Sequence, residues 1–205
     1  MPHVIERATT GRATCRGCGG SIAKGTLRIG EAVPNLYADK DSAESLHWHH
    51  PACAAFRRPE AFLQAVEGRD LTLPDRDALV AVAAEGAAHH RLPRLDRAER
   101  ASSGRAACRA CRALIPKGAW RIALLFWQDG RFAPAGFVHA TCATTYFETA
   151  NLLERLQHFT PDLTSADVEA LARDLAAGPP PTSTLAPASG IGEPRRAVDQ
   201  NGKPT

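Results

Sequence analysis

The chain has 205 residues, 44% of them apolar and 23% charged, with a formal net charge of +3. That length holds one or two small domains. No apolar run is long enough to span a bilayer, and the amino terminus lacks the basic-then-apolar pattern of a secretory signal. The expectation is a soluble protein in a reducing compartment, neither a membrane channel nor a secreted disulfide scaffold.

Residues 1–10 read as a short, loosely held lead-in. Gly11-Arg12-Ala13-Thr14-Cys15-Arg16-Gly17-Cys18 follows, then a Lys24-Gly25 turn and a strand at Leu27-Arg28-Ile29. Asp39 to Ser42 form a polar loop before the chain returns to His50. A helix is expected from Ala52, anchored by Cys53 and packing Phe56. Further helices are expected over Pro59–Val66 and Pro74–His89, with Pro74 as first helical residue and Leu79, Val82 and Ala83 as the apolar stripe.

Arg91 to Ser103 reads as a charged connector. Gly104-Arg105-Ala106-Ala107-Cys108-Arg109-Ala110-Cys111 then repeats the opening stretch, and 115–122 repeats 22–29. Ile122–Trp127 is an apolar strand, with a hairpin turn at Gln128-Asp129-Gly130-Arg131. A helix is expected from Thr141 to Gln157, with Leu152, Leu153 and Leu156 inward. Another starts near Thr164, where Thr164 and Asp167 have capping-box spacing; Val168, Leu171, Ala172 and Leu175 face inward, and Gly178 ends it. Residues 178–205, rich in Pro, Gly, Ser and Thr, are expected to be disordered. The repeating unit is thus about 90 residues, counting a helical extension after each copy.

All six cysteines fall into two Cys-x2-Cys…His-x2-Cys sets: Cys15, Cys18, His50 and Cys53, then Cys108, Cys111, His139 and Cys142. Zinc takes four tetrahedral N and S donors, and Cys-x2-Cys delivers two thiolates from one tight turn. The stretches between the pairs are too long for a ββα finger, so each carries strands of its own. An even cysteine count also permits disulfides, but the histidine in each set and the duplicated layout favour two zinc ions per chain.

The charge is uneven: 97–142 holds eight Arg or Lys against Glu99 and Asp129, a net +6, whereas 143–177 holds two Arg against six acids, a net −4. A basic face beside an acidic annex suits a polyanion. An excess of Arg over Lys and abundant Ala point to a GC-rich, bacterial source.

The segments Gly-Arg-Ala-x-Cys-x2-Cys, Ile-x-Lys-x2-Leu-Arg and Trp-x-His-x2-Cys, matched throughout in the first copy, resemble the zinc finger of poly(ADP-ribose) polymerases and DNA ligase III. Phe137 and Trp120 are the second copy's two departures. The resemblance covers 6–60 and 98–150. It implies a small zinc-stabilised α+β fold with two tandem PARP-type zinc-finger units, each a short antiparallel sheet plus helices, with helical extensions. The expected division is 1–57, 58–97, 98–150, 151–177 and a tail at 178–205.

It also implies recognition of breaks in duplex DNA by structure, not sequence. Arg12 and Arg105 would reach phosphates from the metal knuckles, with Arg28 and Arg121 as second backbone contacts and Arg16, Arg109, Lys24 and Lys117 on the rim. Leu36 and Tyr37 in the first unit, and Trp127 and Phe132 in the second, are candidates for capping an exposed base pair; Trp127 is equally well read as core. No catalytic constellation stands out, so the expectation is a non-catalytic damage sensor lacking the transferase or ligase body, with a repair enzyme acting in trans. It would sit with the nucleoid in a bacterium or in the nucleus of a eukaryote. An adaptor for a repair enzyme and an RNA-binding module remain alternatives.

Overall fold

The computed structural model describes residues 2–35, 44–69, 72–128 and 130–179. Leu36, Tyr37, the polar loop at 39–42 and the tail beyond 179 lie outside the described residues. The first unit is an antiparallel sheet of β1 (Val4–Arg7), β2 (Leu27–Pro34) and β3 (Glu44–His49), in that order. Helices α1 (Pro51–Arg57), α2 (Pro59–Val66) and α3 (Arg76–Ala88) follow. The second unit repeats this with β4 (Leu95–Arg100), β5 (Trp120–Gln128) and β6 (Arg131–His139). Its helices are α4 (Ala143–Phe147), α5 (Leu153–Phe159) and α6 (Ser165–Ala177). Among the described residues no helix is long and apolar enough to cross a membrane.

The amino-terminal lead-in is not loose. Val4 to Arg7 pair with Gly30 to Leu27 as an edge strand, and Ile5 is buried. The connector before the second copy is likewise a strand, with Ala98 to Arg100 paired against Ile122 to Trp120. Both were hidden because short edge strands carry charges on their outer face. In β2 the residue between Ile29 and Glu31 must be glycine: a Cβ at Gly30 would lie 2.7 Å from the Trp48 ring and 2.8 Å from Val4.

Helix α1 stops because Pro59 forces Arg58 out of helical geometry (φ −133°, ψ 58°), and Pro59 then opens α2. Pro74 does not open α3, which begins two residues later after Asp75 in left-handed conformation. The single helix expected from Thr141 to Gln157 is broken. Glu148 takes a left-handed φ of 62° after α4, and α5 begins only at Leu153. The break carries work: Thr149 Oγ1 and Asn151 Nδ2 donate to Glu85 Oε1 of α3, at 2.6 and 2.9 Å. The capping box forms as expected, with Thr164 and Asp167 exchanging bonds and Gly178 ending α6 at φ 71°.

The two units pack against each other along a seam. Arg155 of α5 is buried and crosses it, donating to the carbonyls of Phe56 and Val82, both at 2.8 Å, with its guanidinium over the Phe56 ring. Gly86 makes room, since a Cβ there would sit 3.2 Å from the Arg155 side chain. Arg57 pairs with Asp96 at 2.7 Å and lies over the Phe159 ring, and Arg58 lies over Trp127. The hairpin turn of the second unit closes on the first: a Cβ at Gly130 would meet the His47 ring at 2.8 Å, and His47 is edge-on to Trp127.

Candidate metal centres and nucleic-acid surface

Each Cys-x2-Cys sits on a tight knuckle. The Cys15 N–H bonds to the Gly20 carbonyl and the Ile22 N–H to the Ala13 carbonyl; Cys108 to Ala113 and Ile115 to Ala106 repeat this, all at 2.8 Å. The sheet and the first turn after it bring the other pair, so the ligand atoms of each set of four lie within 4.8 Å of one another. His50 Nδ1 is 3.4 Å from Cys18 Sγ and 3.9 Å from Cys53 Sγ; His139 Nδ1 is 3.4 and 3.8 Å from Cys111 and Cys142. Bond lengths of about 2.3 Å to sulfur and about 2.0 Å to nitrogen give tetrahedral S···N edges of roughly 3.6 Å, so the sets fit zinc.

The surroundings fix the donors. His50 Nε2 faces the Ser21 carbonyl and His139 Nε2 the Leu114 carbonyl, both at 3.2 Å, which leaves Nδ1 as the bare ligand nitrogen. The His50 and His139 N–H groups donate to Cys15 and Cys108 Sγ at 3.3 Å. The thiols compete for negative charge. The Cys53 thiol's hydrogen bond holds Cys15 down at about 2, while the bond to Cys15, then burial, pushes Cys53 up. In the second set burial and the Cys108 charge push Cys142 up to about 12. A dication is what lets all three thiolates of a set coexist.

The first centre is backed by a buried chain that the second lacks. His49 is fully buried, with Nε2 3.6 Å from Glu31, and Glu31 accepts from Arg58. Burial alone would raise the Glu31 carboxyl, but His49 and Arg58 outweigh it and hold it at about 2. The second copy has Leu124 and Val138 in place of Glu31 and His49. A carboxylate in an otherwise apolar strand, matched by leucine in its repeat, was the signal that sequence reasoning passed over.

The arginines divide into two groups. Arg12, Arg16, Arg105 and Arg109 on the knuckles, and Lys24 and Lys117 on the turns, are exposed; none has an ion pair among the described residues. The fold draws Gly11 beside the Lys24 backbone and Gly104 beside that of Lys117, so each Arg-Lys set shares one edge of its unit. Arg28 and Arg121, expected to reach outward, turn inward instead. They are 8% and 7% exposed, paired with Glu6 and Glu99 at 2.5 Å, and stacked on Trp48 and Phe137 at 3.5 and 3.7 Å. Carboxylates on the unforeseen edge strands β1 and β4 are what capture them. Phe137 therefore does for Arg121 what Trp48 does for Arg28.

Trp127 and Phe132 do not stand free either. Their rings contact each other at 4.6 Å between centroids, and Arg57 and Arg58 lie over them at the seam. Among the described residues the large apolar side chains that are exposed are Phe126 and Leu114, neither of which the sequence singled out.

Residues 6–81 match the family model for the poly(ADP-ribose) polymerase and DNA-ligase Zn-finger region. Over 53 residues the chain is 43% identical to a poly [ADP-ribose] polymerase of Drosophila melanogaster, and over 52 residues 42% identical to poly [ADP-ribose] polymerase 1 of Gallus gallus. These matches cover 26% and 25% of this chain and 5% of each relative's length. The amino-terminal unit is a zinc finger of the poly(ADP-ribose) polymerase and DNA-ligase type.

Proposed function

We propose that the chain binds strand breaks in duplex DNA by their structure, through both zinc units, and catalyses no reaction itself. The observation that carries this is the pairing of exposed cations on a metal-braced edge, Arg12 with Lys24 and Arg105 with Lys117, in each of two units packed together. Guanidinium groups held by a rigid knuckle suit phosphate oxygens, and such contacts position a protein without reading sequence. The polymerase relatives match through this finger. A continuous duplex hides the faces of its base pairs, whereas a break exposes one for an apolar side chain to cover. In the second unit that role passes to Phe126, 48% exposed on the hairpin. Each zinc has four protein donors, which leaves no open position for a reacting water.

Titration of the zinc-loaded chain with intact, nicked, gapped and blunt-ended duplexes at fixed salt tests this. Nicked or gapped duplex should bind tightest, and Phe126→Ala should narrow the preference. Equal affinity for intact and nicked duplex removes break recognition; no affinity for any of them moves the chain to the adaptor class.

A further inference from the structure

The first metal centre does not end with its own unit. His158 of α5, in the second unit, places Nε2 3.2 Å from Sγ of Cys53, a ligand of the first set. The ring is held there by aromatic neighbours on both sides of the seam: Phe56, centroid 5.0 Å away, and Phe159 at 4.7 Å. Phe159 also packs against the small core formed by Ala8, Cys15, Ile22 and Cys53 under the first knuckle.

The duplication shows that this is particular to one copy. Leu63-Gln64-Ala65-Val66 in α2 aligns with Leu156-Gln157-His158-Phe159 in α5, so the second copy carries His and Phe where the first has Ala and Val. Cys142, the corresponding ligand of the second set, has contacts within its own unit.

We infer that His158 is a positioning residue of the first zinc centre: it donates its Nε2–H to the Cys53 thiolate across the seam and couples zinc retention at that site to the docking of the two units. The second centre is autonomous. A hydrogen bond to a metal-bound thiolate disperses its charge and fixes its orientation, and loss of such an outer contact commonly costs about 10–100-fold in metal affinity. Coupling of this kind is reciprocal, so weakening the seam elsewhere should loosen the first zinc as well.

The experiment is zinc release from the full-length, two-zinc protein into a chromogenic chelator. Sites are assigned by mass-spectrometric mapping of which cysteines become alkylated. His158→Phe keeps an aromatic ring between Phe56 and Phe159 but removes the donor. It should speed release from the Cys15/Cys18/Cys53 site about tenfold or more and leave the Cys108/Cys111/Cys142 site unchanged. Arg155→Ala, which touches no zinc ligand, should speed the first site selectively too. Release from the first site at the wild-type rate in His158→Phe overturns the inference. So does equal acceleration of both sites, or an Arg155→Ala protein whose first site is as slow as wild type.

Discussion

Arg155 is the most telling residue to perturb, because it carries a charge into the seam with no carboxylate in salt-bridge contact among the described residues. Burial lowers its pKa to about 10, so keeping it protonated costs about 3 kcal/mol at about 1.4 kcal/mol per unit. The fold tolerates this because two charged N–H groups reach the Phe56 and Val82 carbonyls, bonds of about 1.5–3 kcal/mol each. Phe56 lies in the last turn of α1, where carbonyls lack helical partners. Arg155→Met keeps the stem and removes both the charge and its burial cost, so about 2 kcal/mol of stability should go. Arg155→Ala also empties the seat beside Gly86 and Pro59, and should cost about 4 kcal/mol. The assay is urea denaturation with saturating zinc, followed by tryptophan fluorescence. Wild type should unfold in one transition, and Arg155→Ala in two as the units part. A neutral or stabilising Arg155→Met would mean the guanidinium is merely tolerated, as some buried charges are.

Further outcomes are equally specific. Cys15→Ala and Cys108→Ala should each bind one zinc ion by metal analysis, since the two sets share no ligand; loss of both ions from either variant contradicts this. Gly17→Ala should weaken the first site by about 1–3 kcal/mol in competitive zinc titration, because its Cβ would lie 2.9 Å from the Cys53 Cβ, whereas Ala110 occupies the matching place in the second knuckle. Glu31→Gln should destabilise the first unit by about 3 kcal/mol at neutral pH. The carboxylate's folded pKa lies below its ordinary value, so wild type's advantage is full above about pH 4.5 and shrinks as pH falls toward about 2; an advantage that grows on acidification refutes the pairing. Arg12→Ala with Arg105→Ala should weaken binding to every DNA form and reduce the salt slope by roughly one per lost phosphate contact; unchanged affinity with zinc retained points to an adaptor.

The zinc ligands were legible in the sequence because cysteine and histidine spacing reports a local chemical requirement that the repeat states twice. Helices α2 and α6 were legible for a similar reason: Pro59 and the Thr164–Asp167 box are punctuation that acts within one turn. What stayed hidden depends on distant partners. Arg28 and Arg121 looked outward until β1 and β4 supplied Glu6 and Glu99. Trp127 could be read as core or as a stacking ring, and only the first unit's Arg58 and His47 decide that it belongs to the seam. No spacing in the sequence marks His158; it is exposed, yet its ring nitrogen reaches a thiolate 105 positions away in the chain. A repeat predicts each copy's interior, but not the surface where the copies meet.

A broken duplex has two arms and this molecule two metal-braced edges in one packed body, so the most direct test is bending of nicked DNA. A nicked duplex labelled with a donor and an acceptor at its two ends should form a one-to-one complex with the zinc-loaded chain and give a single, narrow, high-transfer population. Intact duplex should stay straight at the same protein concentration. A nicked duplex that stays straight when saturated, or a two-to-one complex in which each protein occupies one arm, would contradict the account.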